Sequence, residues 1–170
     1  GLWAGLWTTA ILVFGCSNPE IDVTMSQAEI QQKVAPKFPL QKKVLIADVT
    51  LHSPKVYFTD DRVGMKVSID AIFLKYPLKG AADVQGKLRY VAQSGEFFVD
   101  EVDIVSLDAG NASLVNTDQL KKVIGPIVSN ALQTTPVYTL PDDTLRAQLV
   151  GKLLKRVTVQ GGSLIATFGK

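Results

Sequence analysis

The stretch VGMKVSIDAIF, residues 63–73, has an apolar side chain at every odd position, with a lysine, a serine and an aspartate between them. A period of two predicts a strand with one buried face and one wet face. Shorter runs of the same period lie on both sides and are separated by turn residues. They cover residues 45–51, 56–58, 84–90 and 97–104. A phase change at Asp100-Glu101 indicates a β-bulge, which would bend its strand. The pattern predicts a strongly curved antiparallel sheet.

The hydrophobic period changes to that of a helix in the last third of the chain. Apolar side chains recur there at spacings of three and four and cover a wide helix face. They are Leu120, Val123, Ile124, Ile127, Val128, Ala131 and Leu132. Asn116 or Thr117 can cap the start, and Gly125-Pro126 in the middle predicts a kink. We therefore predict a long kinked helix over about 117–133.

Two shorter helices are also predicted. Ser26 and Glu29 have the spacing of a capping box, which indicates an N-terminal helix near residues 26–36. Asp142 or Asp143 can cap a second, C-terminal helix. To this helix we assign Leu145, Leu149, Leu153 and Leu154. The fold class is therefore α+β, with an antiparallel sheet, a long kinked helix, a short N-terminal helix and a second C-terminal helix.

The start of the chain is uncharged and mostly apolar, with residues 2–14 reading LWAGLWTTAILVF. This run is shorter than the roughly 20 residues of a membrane-spanning helix and has the length of a signal-peptide core. Gly15 and Cys16 follow and resemble a bacterial lipobox, in which the cysteine receives lipid and becomes the new N-terminus. The alternative is a signal peptide with an incidental cysteine, or a buried core thiol. Ser17, rather than aspartate, resembles the sorting signal for the outer membrane.

These features predict a domain organisation and a location. Residues 1–16 are expected to be an N-terminally incomplete signal peptide with a lipobox, residues 17–23 a tether, and residues 24–170 a single domain. Cys16 is the predicted lipidation site. A lipid on this cysteine would attach the chain to a membrane, and we expect an outer membrane lipoprotein of the bacterial envelope that faces the periplasm.

The composition excludes several classes of site. The 170 residues contain 18 Lys+Arg, 16 Asp+Glu, one His and one Cys, with a net charge of +2. A single cysteine excludes a disulfide framework and a cysteine-rich zinc site, and a single histidine excludes multi-histidine metal sites. The small net charge argues against a nucleic-acid surface. We expect no metal, no cofactor and no nucleic-acid partner.

Few residues are available for catalysis. No serine or cysteine nucleophile pattern surrounds His52, so a surface or strand-end histidine is the expected assignment. Clustered carboxylates are read as a turn, the wet face of a strand and a helix cap rather than as acid–base pairs. They are Asp60-Asp61, Asp100-Glu101-Asp103 and Asp142-Asp143. We therefore expect the chain not to be an enzyme.

The apolar face of the sheet and the wide face of the long helix can form a packed core or a cleft for an apolar ligand. Side-chain alternation does not separate these two, and on the residue pattern alone a packed core is the commoner outcome. If a cleft exists, its predicted lining is Val67, Ile69, Phe73, Leu88, Tyr90, Phe97, Val123, Ile127 and Ala131.

Five segments, taken in order over residues 22–168, resemble the YceB-like family of bacterial lipoproteins of unknown function. They are MSQAEI (25–30), GEFFVDEVDIV (95–105), LKKVIGPIVSNAL (120–132), PVYTL (136–140) and LLKRVTVQGGSLIATF (153–168). That family is similar in fold to the tubular lipid-binding (TULIP) superfamily. The resemblance implies a curved antiparallel sheet wrapped around the long helix, with apolar ligands between them, and it supplies no catalytic residues.

The sequence is compatible with two functions. The first is a non-catalytic, membrane-anchored lipoprotein that binds a lipid or other apolar small molecule between its sheet and its helix. The second is a structural or adaptor lipoprotein with a packed core, which acts through contacts with an unidentified protein partner in the envelope.

Overall fold

The computed structural model describes residues 19–110 and 116–170, and the strands in these ranges form two antiparallel sheets. Cys16 and the rest of the predicted signal peptide lie outside the described residues. The larger sheet has the strand order β2-β3-β4-β5-β6-β7. Its strands are β2 Leu40–Val44, β3 Ala47–Thr59, β4 Arg62–Phe73, β5 Tyr76–Val91, β6 Glu96–Asp108 and β7 Tyr138–Thr139.

The alternation of β4 predicts its burial correctly. Met65 on β4 pairs with Val56 on β3 and with Val84 on β5, and all three side chains are buried. The β5–β6 register shifts beside Asp100, and Glu101 has a left-handed φ of 51°. The predicted β-bulge is therefore confirmed, as is the antiparallel sheet of long amphipathic strands.

The smaller sheet has the order β1-β9-β8. Its strands are β1 Ile21–Ser26, β8 Leu153–Gln160 and β9 Ser163–Gly169. Residues 21–23, which we predicted as part of a tether, lie in β1 and pair with residues 166–168 of β9. The Gly161-Gly162 turn joins β8 to β9.

The C-terminal helix is shorter than predicted. Helix α3 covers Asp143–Gln148, and the side chain of Asp142 caps it by accepting from the Leu145 N–H at 2.9 Å. The assignment of Leu153 and Leu154 to this helix is wrong, because both residues belong to β8 and pair with β9. The physical reason lies at Gly151, whose φ of 75° is left-handed and cannot continue a helix.

Two further helices agree with the sequence patterns. Helix α1, Gln27–Val34, begins with the predicted capping box: Ser26 Oγ accepts from the Glu29 N–H at 3.1 Å, and Glu29 Oε1 accepts from the Ser26 N–H at 3.0 Å. Helix α2, Thr117–Thr134, is capped by Asn116 and contains Pro126. The bend at this proline stays a prediction. None of the helices in the described part of the chain is long and apolar enough to cross a bilayer.

Aromatic side chains connect the two sheets. The ring of Tyr90 on β5 lies 4.8 Å from that of Phe97 on β6 and 5.1 Å from that of Phe168 on β9. Phe97 also contacts Tyr138 on β7, with the ring centroids 6.0 Å apart. Contacts of this geometry stabilise beyond the area they bury, so both sheets belong to one hydrophobic core.

Candidate functional site: a cleft beside the longest described helix

An open cleft of about 950 Å³ lies between α2 and β2 with its following turn. We call it the α2 cleft. This volume is in the range of sites that hold small apolar ligands. Its apolar lining is Leu40, Val44, Leu45, Ile46, Val123, Pro126, Ile127 and Ala131. Its polar lining is Lys37, Gln41, Lys42, Lys122, Asn130, Thr134 and Thr135.

The wide apolar face of α2 explains one wall of the cleft. One stripe of the helix points into the protein core, and its members are fully or almost fully buried. They are Leu120, Ile124, Val128 and Leu132. A second stripe, Val123, Ile127 and Ala131, is half-buried and lines the α2 cleft at a spacing of four residues. One side of the helix therefore packs in the core, and the adjacent side lines the cleft.

The opposite wall is formed by β2 and the β2–β3 turn. Val44, Leu45 and Ile46 lie there in succession, and the side chain of Leu45 is fully exposed to solvent. Three consecutive exposed apolar residues are unusual in a turn, where polar residues and glycine dominate. The run VLI at 44–46 is the sequence signal for this wall. The alternation of apolar residues over 45–51 predicts a strand at residue 45, whereas in the structure this residue lies in the turn.

The predicted lining residues separate into two groups. Val123, Ile127 and Ala131 line the α2 cleft. The six predicted on the sheet do not line it. They are Val67, Ile69, Phe73, Leu88, Tyr90 and Phe97. Five of these six are buried in the core, and Tyr90 is half-buried against it, because the inward face of the sheet is covered by the protein's own side chains.

The charge at the edge of the cleft is positive. Lys37, Lys42 and Lys122 belong to its lining, and no carboxylate does among the described residues. The lysine ammonium groups can donate hydrogen bonds to an anionic head group, while the apolar walls cover a hydrocarbon chain. The arrangement therefore suits an amphipathic anion better than a neutral polar molecule.

The candidate catalytic residues have local structural partners. His52 Nε2 lies 3.0 Å from Asp70 Oδ2 on the surface of neighbouring strands. Asp60 and Asp61 form the β3–β4 turn, and Asp100 pairs with Arg89. No three His, Cys, Asp or Glu side chains within residues 19–110 and 116–170 lie close enough to hold a metal ion.

The fold and the cleft define a mostly antiparallel α+β domain with an apolar groove beside a helix. A family model described as "Protein of unknown function (DUF1439)" matches residues 25–163. This range is more than half of the chain, so the chain belongs to that family. No curated protein matches it. The matched range contains all residues of the α2 cleft and does not reach Cys16.

Proposed function

We propose that this chain is a non-catalytic lipoprotein of the bacterial envelope that binds a lipid or other apolar ligand in the α2 cleft. The observation that carries this proposal is the cleft itself: about 950 Å³, with apolar side chains on both walls and lysines at its edge. An amphipathic molecule fits this arrangement, with its hydrocarbon chain between the apolar walls and its anionic head group beside the lysines.

Burial of a hydrocarbon chain between the apolar walls would contribute to the free energy of ligand binding. Burial of one methylene group contributes about 0.8 kcal/mol, so eight to ten buried methylenes contribute roughly 6–8 kcal/mol before the costs of association. The lysines at the edge add charge-assisted hydrogen bonds to the head group. The costs of association offset much of this gain, so we expect the dissociation constant to fall as the hydrocarbon chain of the ligand lengthens.

The position of α2 between β6 and β2 of the larger sheet supports a tubular lipid-binding architecture. β6 packs against α2, whereas β2, four positions away from β6 in the strand order, faces the same helix across the cleft. We propose that the sheet curves around α2 as the resemblance to the YceB-like family and the TULIP superfamily implies. A bend at Pro126 would then widen the cleft beside the helix.

The membrane attachment is a proposal from the sequence. Gly15-Cys16 resembles a lipobox, and Ser17 resembles an outer membrane sorting signal. β1 begins at Ile21, shortly after the proposed lipidation site, so a lipid on Cys16 would hold the domain close to its membrane. The domain would then face the periplasm.

Two tryptophan substitutions on α2 test the ligand site. Ala131→Trp places a large ring in the α2 cleft, whereas Gln133→Trp places the same ring on an exposed position outside the cleft lining. We expect Ala131→Trp to weaken binding of a fluorescent fatty-acid probe at least tenfold and Gln133→Trp to change it less than twofold. Circular dichroism and the melting temperature check that both variants are folded.

The results also decide between the two functions left open by the sequence. A folded wild-type protein that takes up neither the probe nor a phospholipid contradicts ligand binding and leaves the adaptor lipoprotein. Equal probe affinity in Ala131→Trp and Gln133→Trp would place the ligand elsewhere. Loss of binding in Ala131→Trp alone supports the α2 cleft.

A further inference from the structure

Two turns at the same end of the larger sheet expose large apolar side chains. The β2–β3 turn contributes Val44, Leu45 and Ile46, and the region of the β4–β5 turn contributes Ile72, Leu74 and Tyr76. We call these six residues the apolar tip. Ile72, Leu74 and Tyr76 are each more than half exposed, at 53%, 57% and 59%. All six residues except Tyr76 line one surface hollow, and a contiguous apolar patch of this kind marks an interaction surface.

The main chain holds the two turns side by side. The Leu74 N–H donates to the carbonyl oxygen of Ile46 at 2.8 Å. Val44 pairs with Ala47, and Ala47 pairs with Phe73, so the turns continue adjacent strands of the sheet. The apolar tip is therefore part of the folded sheet. Its side chains are exposed to solvent without any rearrangement of the two turns.

Cations surround the apolar tip. Lys42, Lys43, Lys75 and Lys79 are exposed on the two hairpins that form it. Two carboxylates lie near the tip on these hairpins: Asp48, which lies 3.9 Å from Lys43, and Asp70, which stands opposite Lys79 in the β4–β5 register and lies 3.0 Å from His52. Lysine side chains around an apolar projection match a surface whose head groups are anionic and whose interior is hydrocarbon.

We propose that the apolar tip inserts into the surface of a bilayer that contains anionic lipids. A second copy of the chain is the less suitable occupant, because a tip-to-tip contact would bring two sets of lysines together. Tyr76 has the amphipathic side chain that favours the boundary between hydrocarbon and water. Docking at the tip is separate from attachment through Cys16.

The tip and the α2 cleft are continuous. Val44, Leu45 and Ile46 belong to both, so a hydrocarbon chain could move between the bilayer and the cleft without crossing water. The movement of a hydrocarbon chain into the cleft rests on the proposed function, whereas docking of the tip at the bilayer does not. Leu74 and Tyr76 belong to the tip and do not line the α2 cleft, which allows the two properties to be separated experimentally.

The described N-terminal end lies away from the tip. β3 has 13 residues and runs from Ala47 at the tip to the turn at Asp60-Asp61, a distance of roughly 40 Å. Asp61 lines a surface hollow with Arg156, whose guanidinium pairs with Glu20 at 2.8 Å. A label at the tip therefore reports on a different part of the surface from a membrane anchor that precedes Glu20.

The test uses the full chain with Cys16→Ser, labelled with an environment-sensitive fluorophore on a single introduced cysteine. Leu45→Cys places the label at the tip, and Ser94→Cys places it in the β5–β6 turn at the far end of β5. The probes are vesicles of phosphatidylcholine alone or mixed equally with phosphatidylglycerol. We expect a blue shift and at least a threefold emission increase at residue 45 with the anionic vesicles only, and less than half of that increase at residue 94.

A double variant shows which side chains are responsible. Leu74→Asp with Tyr76→Asp should weaken binding of the anionic vesicles at least tenfold, read at the label on residue 45. The matched control is Val150→Asp with Leu153→Asp, which removes two exposed apolar side chains elsewhere and should change vesicle binding less than twofold. Circular dichroism checks the fold of both.

The outcomes are distinguishable from those of the proposed function. The Leu74/Tyr76 variant should bind the soluble fatty-acid probe as wild type does, and Ala131→Trp should bind vesicles as wild type does. Equal responses at residues 45 and 94, or no response at 45, overturns docking of the tip. A vesicle-independent dimer in sedimentation that the Leu74/Tyr76 variant abolishes would assign the surface to a second copy and would also overturn it.

Discussion

The rings of Tyr90 on β5 and Phe168 on β9 meet edge to face with their centroids 5.1 Å apart, and this contact joins the two sheets. Phe168 is fully buried and also contacts Phe97, at 6.0 Å between centroids. The smaller sheet therefore stabilises the larger one through aromatic packing as well as through the chain connections.

Replacement of Phe168 by alanine should lower the free energy of unfolding by about 3–5 kcal/mol, because it removes a buried ring and leaves a cavity between the sheets. Urea denaturation monitored by circular dichroism measures the change. Leu153→Ala is the control, since that side chain is 65% exposed and should cost about 0.5 kcal/mol or less. Similar losses in both variants would contradict the role of the aromatic contacts.

Tyr90→Phe should preserve or raise the stability. The hydroxyl of Tyr90 is buried and has no hydrogen-bond partner among the described residues, and burial raises the pKa of this side chain. Removal of an unpaired buried hydroxyl relieves a desolvation cost of about 1 kcal/mol. The same urea titration tests this, and a loss of more than about 1 kcal/mol would show that the hydroxyl has a partner in solution.

Lys122→Glu should lower the affinity for a fatty-acid probe about tenfold, because it replaces a cation at the edge of the α2 cleft with a carboxylate that repels the head group. A probe with the same chain and an uncharged head group should bind both proteins within about twofold. Fluorescence titration at low and high salt measures both. Equal loss for the two probes would mean that the substitution disturbs the cleft and not the head-group contact.

The ion pair of Glu20 and Arg156 should make a pH-dependent contribution to stability. The Arg156 guanidinium donates to both carboxylate oxygens of Glu20, at 2.8 and 3.1 Å, and holds the pKa of that carboxyl below its ordinary value. A lowered pKa in the folded state adds stability at neutral pH, and this stability is lost as the pH falls through the folded pKa. Glu20→Gln should therefore be less stable than wild type at pH 7, with the difference vanishing in acid. A difference that does not depend on pH would contradict this assignment.

Cys16→Ser should release the chain from the membrane fraction, because no acyl chains would then anchor it. Ser17→Asp should leave the protein in membranes and move it from the outer to the inner membrane. Fractionation on a density gradient, with both variants expressed in a Gram-negative bacterium, measures the distribution. An unchanged distribution of Cys16→Ser between the fractions would contradict the predicted lipidation of Cys16.

The larger sheet could be predicted because its strands are long and one-sided. In β4 the side chains of Met65, Val67 and Ile69 repeat with the period of the pleat, and burial follows that period. The smaller sheet was harder to predict. The leucines at 145, 149 and 153 fit a helical spacing, but a turn at 149–152 with a left-handed backbone at Gly151 separates α3 from β8.

Part of one wall of the α2 cleft could be predicted, because the apolar face of α2 follows the helical period. A helix face that is too wide for one interface exposes a second stripe, and Val123, Ile127 and Ala131 form it. The opposite wall depends on where β2 ends and on which way Leu45 points, which are properties of the tertiary fold. Apolar residues of a sheet such as Phe97 carry no local signal that separates a cleft from a filled core.

Native mass spectrometry of the wild-type protein and of Ala131→Trp tests the central claim most directly. The protein is purified without detergent, measured, extracted with organic solvent and exposed to a bacterial lipid extract. We predict a stoichiometric adduct with the mass of one lipid on the wild-type protein, and little or none on Ala131→Trp. A wild-type spectrum with the mass of the polypeptide alone, before and after exposure to lipid, would contradict the claim.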